Sequence, residues 1–294
     1  MIDSTSSPFL ASPGIQNQAA ANSSARGVDR QVEDFYATLL GGFDKEGFAS
    51  AMPVPEESLN EQSVQTTWND WFDQLGIKSY TFQAGSGSPS VRKDKTSDDL
   101  RQDYGNILVD AYQKGGYASP QQYLRSLDQD QLSAIQQVHH LADPIDPQQL
   151  SPEASLNLIL PPPAQVDENN DGLTAVGAAY TLRFPSSDTP SDVRDAWDAA
   201  TADLSEEDKM LYTLQMSMPL ITANLHFDQD GGFIRASQPG DSDWVNPMAA
   251  KNFSYKQFAN EWLQYLKDFG SQMNPEQVHR DQKFWTSFRD NLVS

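Results

Sequence analysis

The stretch LRQDYGNILVDAYQKGG, Leu100 to Gly116, decides the fold class. Leu100, Tyr104, Ile107, Leu108, Ala111 and Tyr112 recur at three- and four-residue intervals. Side chains so spaced share one face of an α-helix. The pair Gly115-Gly116 then stops it. The same period recurs on both sides. Val28, Val32, Phe35, Tyr36, Leu39 and Leu40 form one face, ended by Gly41-Gly42. Val64, Trp68, Trp71, Phe72 and Leu75 form another over about 57–75. Near the end, Phe258, Trp262, Tyr265, Leu266 and Phe269 mark a helix over about 254–270. Val278, Trp285, Phe288 and Leu292 mark one over 275–292. These aromatic stripes read most simply as core.

Start signals agree with this period. Ser119-Pro120, Ser151-Pro152, Thr189-Pro190 and Asn274-Pro275 each place an oxygen-bearing side chain before a proline. Such a pair satisfies an orphan helix amide and presets φ for the first turn. Ser205-Glu206-Glu207-Asp208 and Ser254-Tyr255-Lys256-Gln257 are built like capping boxes. Strand signals are few. Tyr180, Leu182 and Phe184 alternate with polar neighbours, and Ile221, Ala223, Leu225 and Phe227 alternate before DQDGG, which suggests one arm of a hairpin. The expected fold is mainly α, a multi-helix globular protein with helix–loop–helix units and a few short β-strands. FDKEGF (43–48), YQKGGY (112–117) and FDQDGGF (227–233) form a weak internal echo, either a degenerate helix–loop–helix duplication or chance similarity in an aromatic-rich chain.

A length of 294 residues, with six Trp, fourteen Phe and ten Tyr, supplies material for a packed core. The expected organisation is a disordered segment 1–27, a helical region 28–84, a linker or long loop at 85–97 around GSGSPS, and a main helical domain 98–294. The formal charge of −21, from 41 acids and 20 bases, disfavours nucleic acid and anionic membrane surfaces. Basic proteins and cations are the favoured partners. No Lys or Arg occurs between Ser126 and Leu182. The chain lacks cysteine, which excludes disulfides, zinc thiolates and cysteine nucleophiles. It has no apolar run of the length that spans a bilayer.

The most explicit chemistry lies in VDENNDGLTAVGA, Val166 to Ala178, within that anionic stretch. Asp167, Asn169 and Asp171 match the first, third and fifth positions of a calcium loop, Gly172 the sixth, and Leu173 would offer a backbone carbonyl at the seventh. The segment resembles an EF-hand or dockerin-type calcium loop. It departs from the pattern at Ala175 and Ala178, the ninth and twelfth positions, and Pro161–Pro163 interrupts the approach. A bidentate acid belongs at the twelfth position, so a replacement would have to come from Glu168 or another segment. The alternative is an Asx-rich turn whose side chains cap their own backbone.

A second set is LHFDQDGGF. On a continuous strand, His226, Asp228 and Asp230 would share a face and could hold a catalytic divalent metal. Asp228, Asp230 and Gly232 also resemble a calcium loop shortened by one residue, and a plain hairpin turn explains them too. His139 and His140 point apart on a helix, so one is expected near the core and the other in water. No nucleotide-binding or hydrolase motif is present.

The first 25 residues hold six Ser, one acid and no base, and lack the basic and apolar regions of a Sec signal peptide. Their composition is similar to that of bacterial type III secretion substrates. That resemblance implies an effector-like protein, secreted without a cleaved signal and binding a protein of a host. The combined expectation is a calcium-stabilised, non-enzymatic protein-binding protein. The alternatives are a metal-dependent hydrolase using His226, Asp228 and Asp230, and a cytoplasmic acidic scaffold without an ion.

Overall fold

The computed structural model describes residues 13–74 and 96–293, with side chains from Gly27 onward. It is mainly helical, with two small antiparallel sheets. In chain order the elements are α1 (Pro13–Gly41), α2 (Glu61–Gln74), α3 (Ser97–Gln113), α4 (Pro120–Arg125), α5 (Gln129–Val138), α6 (Pro152–Leu158), β1 (Thr174–Val176) and β2 (Ala179–Thr181). There follow α7 (Ser191–Thr201), α8 (Glu206–Met216), α9 (Met218–Ala223), β3 (Leu225–Phe227), β4 (Phe233–Ala236), α10 (Tyr255–Phe269) and α11 (Pro275–Asn291).

The periodic faces become the core. Val28, Val32, Phe35, Tyr36, Leu39 and Leu40 of α1 are buried, as are Val64, Trp68, Trp71 and Phe72 of α2. In α3 the expected stripe is buried from Leu100 to Ala111, and Thr96 and Asp99 form a capping box at its start. Ser151, Ser205, Ser254 and Asn274 each accept a hydrogen bond from a first-turn amide of their helix. Ser119 makes no such bond. Thr189 turns back to Ser186, so the cap position of α7 falls on Pro190.

Several expectations change. Helix α1 begins at Pro13, inside the segment expected to be disordered; Ala19, Ala20 and Ala21 are strong helix formers that suit its extension. Residues 1–12, and the proposed linker except Thr96 and Ser97, lie outside the described residues. The hydrophobic core divides into two clusters. One cluster runs from Val28 to Val176, uniting α1 and α2 with α3 to α6 and β1. A second runs from Phe184 to Leu292. The two clusters part near 177–184, and α2 packs directly on α3.

Ile221 and Ala223 belong to α9 rather than to a strand, since Pro219 starts a short helix there. The internal echo does not mark a repeated unit: FDKEGF follows a helix, whereas FDQDGGF turns a β-hairpin.

Ion pairs join the two lobes. Arg194 on α7 donates to Glu33 on α1 at 2.6 Å, with both side chains buried. Arg30 bridges Asp195 at 2.8 Å and Asp198 at 2.7 Å. The Arg183 and Arg194 guanidiniums lie 5.6 and 5.2 Å from the centre of the Phe48 ring. Burial pushes the Glu33 carboxyl up to about 7, against the pull of Arg194.

Candidate functional site

The loop after α6 takes an Asx-turn form. Asp167 accepts from the Asp171 amide at 3.1 Å through Oδ1 and from the Gly172 amide at 2.7 Å through Oδ2. Asn169 Oδ1 accepts from the Asp171 amide at 2.9 Å, and Asp171 Oδ1 from the Leu173 amide at 2.9 Å. Asn170 and Gly172 adopt positive φ values of 55° and 90°. Asparagine and glycine tolerate that region better than other residues. These bonds satisfy amides that the sharp turn would otherwise leave without partners.

The loop is held from outside as well. Ser187 Oγ accepts from the Asp167 amide at 3.0 Å. The Trp244 indole N–H donates to the Asp171 carbonyl at 2.9 Å, and the Asn246 side chain donates to the Asn170 carbonyl at 3.2 Å. Lys45 pairs with Glu168, turning that acid away from the role of replacement ligand. The loop is therefore a junction where segments of both lobes meet.

Beneath it lies a residue that sequence reasoning did not select. Glu153, in the first turn of α6, is only 4% exposed. Its Oε1 accepts from the Ala175 amide at 2.7 Å, while Oε2 has no hydrogen-bond partner. Burial pushes its carboxyl up to about 7; the Ala175 and Asn169 amides oppose this, and the charges of Asp167 and Asp171 add to it. Asp167, also 4% exposed, is raised to about 7, chiefly by burial and against the pull of the Gly172 amide. In sequence, Glu153 looks like an ordinary helix-start acid. Only the return of the chain through β1 brings it under the loop.

The second candidate set does not share a face. Strand β3 ends at Phe227, so the alternation that would align His226 with Asp228 and Asp230 stops there. Asp228 Oδ1 instead accepts from the amides of Asp230 and Gly232 at 2.9 and 2.7 Å. His226 Nε2 faces Ser237 Oγ at 2.7 Å and Asp243 at 3.4 Å. Among the described residues, no three His, Asp or Glu side chains stand in metal-cluster spacing, at this turn or at the first loop.

His139 sits between Gln165 at Nδ1 (2.9 Å) and both Tyr104 Oη and the Leu158 carbonyl at Nε2 (3.0 and 3.2 Å). Burial holds its pKa down to about 4. His140 is exposed, so the pair divides between core and water as expected.

The C-terminal lobe departs most from expectation at α10. Leu266 is buried, but Tyr265 and Phe269 are 46% and 47% exposed. With Trp262 they form a chain of ring contacts along the helix, and Trp262 stacks on Trp285 at 5.3 Å. Beside this ladder is a groove of about 460 Å³, lined by Gln215, Met218, Phe258, Trp262, Tyr265 and Met273, with Glu261 and Asp281 among its acids. Met210 and Leu214 continue an exposed apolar row along α8. A period of 3.6 predicted which residues share a face; it could not say that part of this face would lack a covering element.

No described helix is long and apolar enough to cross a membrane. Comparison with known proteins returned no matching family model, curated protein or solved structure.

Proposed function

We propose that this chain is a protein-binding protein whose docking surface is the groove between α8, α10 and α11. The observation that carries this reading is the ladder of half-buried Trp262 and exposed Tyr265 and Phe269 beside an apolar groove. Concave apolar surfaces with a polar rim are characteristic of interaction sites, and aromatic residues supply much of the binding energy at such surfaces. The occupant that fits is an amphipathic helix of a partner protein, laying an apolar face into the groove. The chain's charge of −21 calls for basic residues on the partner's polar face.

The test uses a synthetic amphipathic helix of Leu and Lys and its Leu/Glu counterpart, followed by tryptophan emission. The Lys peptide is expected to bind, and Tyr265→Ala/Phe269→Ala to weaken it at least about tenfold. Equal binding of the Glu peptide, or no effect of the double substitution, would sink the reading.

A further inference from the structure

The loop at 167–173 holds more negative charge than its surroundings balance. Glu153 and Asp167 are both 4% exposed, and Asp171 lies close enough for its charge to act on both. Among the described residues, neither buried carboxylate is paired with Lys or Arg; the hydrogen bonds they accept come from backbone amides. The nearby Lys45 is engaged by Glu168. A buried carboxylate without a counter-charge is strongly disfavoured unless it takes a proton or meets a cation. Glu153 shows the imbalance most plainly: its Oε2 is buried and makes no hydrogen bond, and beyond the Ala175 amide only the Asn169 amide is near enough to ease its charge.

We propose that Glu153 closes a divalent-cation site of calcium type, together with the side chains of Asp167, Asn169 and Asp171 and the backbone carbonyl of Leu173. Glu153 replaces the acid that Ala178 fails to supply at the end of the loop. Glu153 precedes the loop in sequence, and its bond to the Ala175 amide sets it beside the strand that leaves the loop. The carboxylate oxygens that accept loop amides retain a second lone pair for a cation. The three acids do not already stand in metal-cluster spacing, so binding draws Glu153 and Asp171 toward Asp167. All donors are oxygen and two are amide carbonyls, which suits calcium and its tolerance of irregular coordination better than magnesium or a transition metal. The hairpin turn at Asp228 offers no comparable buried, unpartnered acid: its Asp228, Asp230 and Gly232 are all exposed.

The test is equilibrium dialysis of the full chain against calcium, paired with thermal unfolding in calcium and in chelator. The wild type is expected to bind one calcium per chain at millimolar concentration or below, and to unfold several degrees higher with it. Glu153→Gln keeps the oxygen that accepts from Ala175 and is expected to lower calcium affinity at least tenfold. Asp228→Asn is expected to leave affinity unchanged. Should Glu153→Gln fail to fold, Asp171→Asn alters a more accessible side chain and must show the same loss. No binding by the wild type at millimolar calcium overturns the proposal. So does undiminished affinity in the folded Glu153→Gln protein, or in Asp171→Asn. Magnesium competing as well as calcium overturns the choice of ion. The groove lies on the other lobe, so the peptide test and this one fail independently.

Discussion

Two acidic turns in this protein, Asp167–Gly172 and Asp228–Gly232, use the same chemistry in opposite surroundings. In each, the first aspartate accepts two backbone amides and a glycine at positive φ helps close the turn. The hairpin turn stands in solvent, where water screens its charges. The first loop is pressed between lobes, with Asp167 buried and a second buried acid, Glu153, behind it. Similar residue patterns thus give a self-contained turn at one place and an unbalanced charge cluster at the other. Burial, not composition, makes the difference.

The sharpest way to widen that contrast is pH. The Glu153 carboxyl is raised to about 7 in the fold, above the ordinary unfolded value. The folded chain therefore binds the extra proton between those two values. Its stabilising effect is complete below the unfolded pKa and is lost as pH rises through about 7. Urea unfolding in chelator at pH 5 and pH 8 should show wild type losing, relative to Glu153→Gln, about 2 kcal/mol. Parallel pH dependence of the two proteins would show that Glu153 is not held in a desolvated site.

Next in size is removal of each turn's first acid. Asp167→Ala leaves two amides of a partly buried loop without their acceptor and should cost about 2–3 kcal/mol in urea unfolding. Asp228→Ala, in water, should cost about 0.5–1 kcal/mol. Equal losses would mean that the buried and exposed turns are energetically the same.

Glycine substitutions probe the same difference through the backbone. A Cβ at Gly172 would lie 2.8 Å from the Leu220 side chain, at φ +90°. At Gly231, with φ +81°, it would meet nothing within 4 Å. Gly172→Ala should therefore destabilise by about 2 kcal/mol and Gly231→Ala by about 1 kcal/mol, by thermal scan. Trp244→Phe probes a single outside bond to the first loop. It removes the indole donor to Asp171 and should cost about 1 kcal/mol. A calcium-dependent emission change in wild type that persists in this variant would locate the reporting tryptophan elsewhere.

The helical architecture was legible because it depends on local chemistry. The α3 stripe and the seryl starts of α6, α8 and α10 were visible as spacing and capping. So was Asp167 as the head of a polar loop. Misreadings arose where a local pattern ended unseen. Strand alternation in the sequence runs on through Asp230, whereas the chain turns after Phe227. The period of the α10 stripe reads as core throughout, whereas Tyr265 and Phe269 face outward.

By itself the sequence determined the helix periods, most helix starts, the acidic character and the residues of both turns. These follow from interactions within a few positions along the chain. Tertiary structure decided where the core divides, which aromatics remain uncovered and which acid lies under the loop. Glu33 and Arg194 are separated by 161 positions, yet they form a buried pair across the lobes. Glu153 reaches its place only because β1 returns to α6. Contacts of that kind depend on how elements pack, and packing is set by the whole set of faces together rather than by any one stretch.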